Sequence, residues 1–194
     1  MDRSGLIRLL DRYRDRHPDE LETIGHVLAL LSDRERAFHR DCFDPGHITS
    51  SAWIISRQSG AVLLTHHRKL KRWLQLGGHA DGETDLLASA QREAEEESGL
   101  RGFEPVPDLA GPEILDVDVH GIPAIGDEPA HEHHDIRFLL RVSDDQEIER
   151  QVAESKEIRW FAPGAILRVF DEESLIRMAR KATLWLARDP VGPA

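Results

Sequence analysis

Three glutamates, Glu93, Glu96 and Glu97, are the side chains of this sequence with the clearest chemical potential. They lie in residues 85–98, a stretch without Gly, Pro or β-branched residues, which predicts a helix of about four turns. Positions i, i+3 and i+4 share one face of a helix, where three carboxylates repel one another unless a cation binds them. Such oxygen ligands suit Mg²⁺, Mn²⁺ or Ca²⁺ better than Zn²⁺. The alternative is a solvated acidic face on which Arg92 pairs with Glu96.

The two ends of this helix carry their own sequence signals. Thr84 is the predicted N-cap, because its hydroxyl can accept a hydrogen bond from a first-turn N–H group. Gly99 is the predicted C-terminal cap, since glycine adopts the left-handed conformation at little cost. A stripe of small and apolar residues (Leu87, Ala90 and Ala94) is expected to pack against a sheet.

Residues 78–100 resemble the signature of the Nudix hydrolase family. That signature is Gly, five residues, Glu, seven residues, and then Arg-Glu-aliphatic-any-Glu-Glu-any-Gly-aliphatic. Its matching positions are Gly78, Arg92, Glu93, Ala94, Glu96, Glu97, Gly99 and Leu100. The first family glutamate falls on Thr84, with Glu83 one residue early. In the family that glutamate mainly supports the arginine, so the departure concerns the surroundings of Arg92 more than the metal ligands.

The resemblance implies both a fold and an activity. The implied fold class is α/β: a Nudix-like α/β/α sandwich with a mixed sheet, formed by residues 46–194 after an N-terminal helical extension, residues 1–45. The implied activity is hydrolysis of the pyrophosphate linkage in a nucleoside diphosphate linked to another group X, with Mg²⁺, or alternatively Mn²⁺, as cofactor. A catalytically weak or inactive ligand-binding or regulatory module on the same fold is the alternative.

Roles for individual residues follow from the resemblance. Glu93 and Glu97 are expected to be metal ligands, and Glu96 a third ligand or a base. Arg92 is expected to hold these carboxylates in place through charge-assisted hydrogen bonds. Several Nudix enzymes place a further glutamate, a ligand or base, in a loop before a Trp-containing strand. Glu154 resembles that placement; the alternative is a solvent-facing charge.

Glycines and histidines near the motif are the candidate substrate contacts. Gly77 and Gly78 allow a close approach to the backbone because they lack a Cβ atom. His47 and His79 flank elements that should converge near the motif, and each is a candidate phosphate contact. For a single histidine, however, a structural role is the simpler interpretation.

A histidine-rich segment, residues 131–138 ("HEHHDIRF"), has the alternation of a strand. His131, His133 and Asp135 then lie on one side, opposite His134. His133 and Asp135 are predicted to face the substrate or a second cation. With His131 they would satisfy the ligand count of a catalytic Zn²⁺ site. The alternative is a polar strand end at the rim of a pocket.

Composition limits the classes of partner. The 194 residues carry a net charge of −11, and no basic patch stands out. A nucleic acid polymer is therefore not an expected partner, which argues against RNA decapping. The expected partner is a small phosphorylated molecule. The N-terminal helices are interpreted as a packing element or the contact of a possible homodimer, with a substrate cap as the alternative.

The one cysteine, Cys42, excludes an intramolecular disulfide and favours a reducing compartment. It precedes the predicted sheet, which argues against an isomerase of the isopentenyl diphosphate type, whose chemistry uses an active-site cysteine. We find no signal peptide and no apolar segment of about 18 residues, so the predicted location is the cytoplasm, without a membrane span.

Apolar spacing and turn residues predict the remaining elements. Helices are expected within residues 4–40 and at 171–188. Strands are expected at 48–56, 61–67, 113–119, 134–142 and 157–162, with a short strand leading into the motif helix.

Overall fold

The computed structural model describes residues 1–106, 113–153 and 155–187. Its helices are α1 (Arg3–Arg16), α2 (Leu21–Asp33), α3 (Leu86–Ser98), α4 (Ile166–Val169) and α5 (Glu173–Leu186). Its strands are β1 (Gly46–Ser56), β2 (Val62–His67), β3 (Trp73–Leu74), β4 (Leu76–His79), β5 (Glu104–Pro105), β6 (Ile114–Ile122), β7 (His131–Val142) and β8 (Ser155–Phe161).

These strands form one mixed sheet with β1 at its centre. β1 pairs in parallel with β7 along its whole length, from Gly46 opposite Glu132 to Ser56 opposite Val142. β2 and β4 pair antiparallel with different parts of β1. All 11 residues of β1 are buried, and its apolar and small side chains suit a strand that is covered on both faces.

Helices cover both faces of the sheet. On one face, Ile48 and Ile136 belong to a core cluster with Ala90 and Ala94 of α3 and with Leu10 of α1. On the other face, Trp53 and Leu139 share a second cluster with Leu175 and Met178 of α5. The predicted α/β/α sandwich with a mixed sheet is therefore confirmed. No helix in the described part of the chain has the length and apolar character needed to cross a membrane.

The N-terminal helices bury their apolar faces in the first of these clusters. α1 buries four residues that share one helical face: Leu6, Leu9, Leu10 and Tyr13. α2 buries Ile24, Val27, Leu30 and Leu31, whereas Leu21 at its first position is exposed. Packing of α1 and α2 against the rest of the fold is thus observed, while the division at residue 46 and the homodimer stay predictions.

The helix that carries the glutamates begins one residue later than expected. Asp85, not Thr84, is the N-cap of α3, and its carboxylate accepts a hydrogen bond from the Ala88 N–H at 3.3 Å. The Thr84 hydroxyl instead donates to the carbonyl of Met1 at 3.0 Å. At the other end Gly99 is left-handed, with φ of 76°, so the predicted C-terminal cap is confirmed.

Candidate functional site

The carboxylates of α3 differ in their surroundings. Glu97 is only 5% exposed, and its Oε1 accepts a hydrogen bond from the Gly77 N–H at 2.8 Å. Glu93 lies against β4, where a Cβ atom on Gly78 would be 2.5 Å from Glu93 Oε2. The side chain of Glu96 is half exposed. Gly78 thus leaves room for Glu93 of α3, and the N–H group of Gly77 holds Glu97.

Arg92 connects these carboxylates to the sheet. Its Nη1 lies 2.7 Å from Glu93 Oε1 and 3.2 Å from Glu96 Oε2. Its Nη2 donates to the carbonyl of His79 at 3.2 Å. Burial opposes the charge of Arg92, but the adjacent glutamates outweigh it and raise its pKa. The predicted grouping of Arg92 with Glu93 and Glu96 is present in the structure.

Three histidines from three adjacent strands meet on one face of the sheet. His47 of β1 is opposite His133 of β7, and His79 of β4 is opposite Thr49 of β1. The ring centroids are 4.8 Å apart for His47 and His133, 5.1 Å for His47 and His79, and 5.2 Å for His79 and His133. One potential ligand atom from each residue lies within 4.8 Å of the other two. We call these three residues the histidine cluster.

Burial keeps the histidine cluster neutral. Together with the neighbouring cationic and histidine side chains, burial lowers the pKa of His79 to about 4 and that of His133 to about 2. Burial also lowers the pKa of His47. At neutral pH these imidazoles carry no positive charge, so the phosphate contacts of His47 and His79, which stay predictions, would be hydrogen bonds and not ion pairs.

The carboxylate of Asp135 forms hydrogen bonds with residues outside the histidine cluster. Its carboxylate accepts hydrogen bonds from Thr49 Oγ1 at 3.1 Å, Ser51 Oγ at 2.8 Å, Arg137 Nε at 2.8 Å and Gln75 Nε2 at 3.3 Å. With four donors and 4% exposure, Asp135 is a structural centre of the sheet. The potential ligand grouping found among the described residues is His47, His79 and His133. The Zn²⁺ set of His131, His133 and Asp135 stays a prediction, and its carboxylate is already engaged by hydrogen bonds within the sheet.

His131 remains next to the histidine cluster. Its ring lies 5.0 Å from that of His47 and 5.2 Å from that of His133, and its Nδ1 is 2.8 Å from the carbonyl of Pro129. Glu154 falls outside the described residues, so its assignment stays a prediction.

A buried ionic network lies farther along the same sheet face, and no sequence motif indicated it. Arg137 Nη1 is 2.9 Å from Asp116, and its Nη2 is 3.0 Å from Asp118. Arg177 of α5 contacts both aspartates at 2.9 and 2.7 Å, and Lys181 contacts Asp116 at 2.6 Å. The available signal was an arginine between Ile136 and Phe138, where an apolar strand is interrupted. We call these five residues the ionic network.

Comparisons with known proteins agree with this geometry. A family model described as the NUDIX domain matches residues 45–182. No curated protein matches the chain. A NUDIX family hydrolase from Clostridium perfringens is 27% identical with a TM-score of 0.53, covering 71% of this chain and 97% of that one.

Two more distant structures share the fold. An Ap4A hydrolase from C. elegans has a TM-score of 0.57 and 17% identity, over 73% of this chain and 98% of its own. The NUDIX domain of NrtR from Shewanella oneidensis, complexed with ADP ribose, has a TM-score of 0.51 and 15% identity, over 82% and 97%.

Proposed function

Because this chain belongs to the NUDIX family and is a Nudix-type pyrophosphohydrolase, we propose that it cleaves the pyrophosphate linkage of a nucleoside diphosphate joined to another group. The observation that carries this proposal is the position of Glu97. A carboxylate that is almost fully buried is costly unless it is bonded or binds a cation. Glu97 is held against the β4 backbone at Gly77, one residue from the glycine that accommodates Glu93.

The residues present fit a hard divalent cation. Glu93, Glu96 and Glu97 offer carboxylate oxygens on one helix face, and Mg²⁺ and Mn²⁺ prefer such donors. The Gly78 position supports the fit, because a Cβ there would displace Glu93. When bound, such a cation neutralises diphosphate charge and makes water a better nucleophile.

The side chains of the chain itself have separable roles in this proposal. Glu93 and Glu97 are the ligands, since both are held in place by contacts with β4. Glu96 is the more exposed carboxylate, and it serves as a third ligand or accepts the proton of the attacking water. Arg92 fixes Glu93 and Glu96 relative to the His79 carbonyl. The absent Cβ atoms of Gly77 and Gly78 leave room for Ser51 and Glu93, and contact of the two glycines with substrate phosphate is part of the proposal.

The substrate is best identified by direct assay. Sugar nucleotides, dinucleoside polyphosphates, NADH and nucleoside triphosphates are incubated with the protein and Mg²⁺ or Mn²⁺, and the phosphorylated products are quantified. We expect turnover of at least one compound with a nucleoside diphosphate unit, and loss of turnover with EDTA. Turnover that persists after complete chelation contradicts the proposed cation.

A pair of variants on α3 tests the role of Glu97. Glu97→Gln keeps the oxygen that accepts from Gly77 but removes the charge, so we expect kcat to fall by at least ~10³, about 4 kcal/mol of transition-state stabilisation. Glu95→Gln is the matched control, because Glu95 pairs with Arg101 at the surface at 2.6 Å. Single-turnover rates and Mg²⁺-induced shifts in Tm are measured for both. Equal rates in the two variants would return Glu97 to a structural role.

Thr84 gives a specific reason to keep a regulatory, non-catalytic module as a second candidate. It stands where the family has a glutamate, and its hydroxyl is bonded to Met1 rather than to Arg92. We expect Thr84→Glu to change kcat by less than about tenfold, roughly the contribution of one hydrogen bond. A gain of several hundredfold in the same turnover assay would favour a ligand-sensing module with residual activity.

A further inference from the structure

We propose that His47, His79 and His133 form a second metal site, which binds a borderline transition-metal dication such as Zn²⁺ and is separate from the glutamate site. Imidazole nitrogens suit Zn²⁺, Cu²⁺, Ni²⁺ or Fe²⁺, whereas Mg²⁺ prefers oxygen. The two sites therefore select different classes of cation, even though Gly78 and His79 are neighbours in β4.

The spacing of the ring nitrogens is close to that of a three-histidine site. Nitrogens about 2.0–2.1 Å from one tetrahedral ion are roughly 3.3 Å apart. The potential ligand atoms of the histidine cluster lie within 4.8 Å of one another. The difference is at most about 1.5 Å, which small changes in side-chain torsion can close.

In His47, one ring nitrogen contacts the backbone and the other is available to bind a metal. Its Nδ1 lies 3.1 Å from the carbonyl of Cys42, and a carbonyl can only accept, so Nδ1 carries the proton. Nε2 is then an acceptor, yet it has no hydrogen-bond partner among the described residues although His47 is 1% exposed. A metal-binding histidine commonly donates its other ring N–H to a carbonyl in this way.

The supporting structure is rigid. Each of the three ligands comes from a different strand, and the pairing of β1 with β4 and β7 fixes their register. Sites built on strands hold their ligands more tightly than sites on loops. With three protein ligands, a tetrahedral ion retains one open position for water or substrate.

The site is connected to the carboxylates through the protein backbone. The carbonyl of His79 accepts the hydrogen bond from Arg92 Nη2, while Arg92 Nη1 contacts Glu93. A metal on the histidine cluster would hold His79, and with it the acceptor that positions Arg92. The expected consequence is that the two metals use different ligands, while the His79 backbone links the surroundings of the two sites.

The test is a titration of the full-length, chelator-treated protein with Co²⁺ and Zn²⁺. We expect one Co²⁺ per chain, with the visible absorption of a four-coordinate ion, and its displacement by Zn²⁺. Nitrogen NMR of histidine-labelled wild-type protein should show three imidazoles shifted by Zn²⁺. Because these readouts use the wild type, they hold even if a variant does not fold. Absence of Co²⁺ binding by the folded wild type would overturn the proposal.

Variants distinguish this site from the glutamate site. His79→Gln and His133→Gln should each weaken Zn²⁺ binding by at least about 100-fold, since loss of an outer partner alone costs 10–100-fold. His120→Gln is the matched control, because His120 adjoins His133 but pairs with Asp118. It should bind Zn²⁺ normally, as should Glu97→Gln. Zn²⁺ binding that is lost in Glu97→Gln and retained in His133→Gln would place the ion on α3 and overturn the proposal.

Discussion

The histidine cluster and the ionic network lie on the same face of the sheet, and β7 contributes a residue to each: His133 to the cluster and Arg137 to the network. Along β6 and β7 the pairs are Asp116 with Arg137, Asp118 with Asp135, and His120 with His133. In the ionic network, buried charges of opposite sign neutralise one another. In the histidine cluster, neutral imidazoles lie close to one another, and the Nε2 of His47 lacks a hydrogen-bond partner among the described residues. A buried polar group that is fully bonded stabilises the fold, whereas a buried donor or acceptor left open is available for a ligand.

Protonation chemistry favours histidine over a carboxylate at a buried position whose polar atoms lack partners among the described residues. A buried carboxylate without a cation carries a large desolvation cost. An imidazolium becomes neutral when it loses a proton, and burial lowers the pKa of His133 to about 2. The imidazoles of the histidine cluster can therefore stay buried without a metal, whereas the buried charges of the ionic network need partners of opposite sign.

The largest expected effect comes from breaking the ionic network at its centre. Arg137→Met removes the guanidinium that contacts Asp116, Asp118 and Asp135. We expect the free energy of unfolding to fall by about 3–5 kcal/mol, because buried carboxylates lose their partner. Urea denaturation measures the change.

The matched control is Arg57→Met. Arg57 forms an exposed ion pair with Glu104 at 2.7 Å, and such pairs contribute about 0–1 kcal/mol. Equal losses of stability for Arg57→Met and Arg137→Met would mean that the network is no more important than a surface ion pair.

Acid should weaken the ionic network next. Burial raises the pKa of Asp116, but the hydrogen bond from Arg177 and the charges of Arg137 and Lys181 outweigh it. Burial also raises the pKa of Asp118, but the hydrogen bond with His120 and the contacts with Arg137 and Arg177 outweigh it, so both pKa values lie below the ordinary range. A carboxyl with a lowered pKa in the folded state contributes stability above its unfolded pKa of about 3.9, and loses it as pH falls towards the folded value.

The wild type should therefore lose stability between about pH 5 and pH 2, and Arg137→Met, with weaker shifts, should lose less over that interval. Urea denaturation at several pH values measures both curves. A wild-type curve that stays flat across this interval would contradict the assigned shifts.

Local sequence information predicted α3 well. Its composition and Gly99 are local signals, and the helix ends at Ser98 as expected. The N-cap was misplaced because Thr84 is engaged by Met1, a contact between residues 83 positions apart. Nothing in the sequence around Thr84 reports such a contact.

Sites that combine several strands were harder to predict. Alternation placed His131 and His133 on one side of β7, but His47 and His79 reach His133 only through the register of β1 with β4 and β7. The same alternation suggested Asp135 as a ligand. It could not show that Thr49, Ser51 and Arg137 already occupy that carboxylate.

The smallest expected effect on stability is that of a substitution in the histidine cluster. In metal-free protein, His133→Gln exchanges a neutral imidazole for a neutral amide and leaves no buried charge unpaired, so the free energy of unfolding should change by only about 1 kcal/mol. This contrasts with the loss expected for Arg137→Met, a position four residues away along β7. The measurement is urea denaturation in the presence of a chelator, with His120→Gln as control. A loss of stability as large as that of Arg137→Met would show that His133 is needed to hold the sheet together. The histidine cluster would then be as important for stability as the ionic network, which contradicts the expected difference between them.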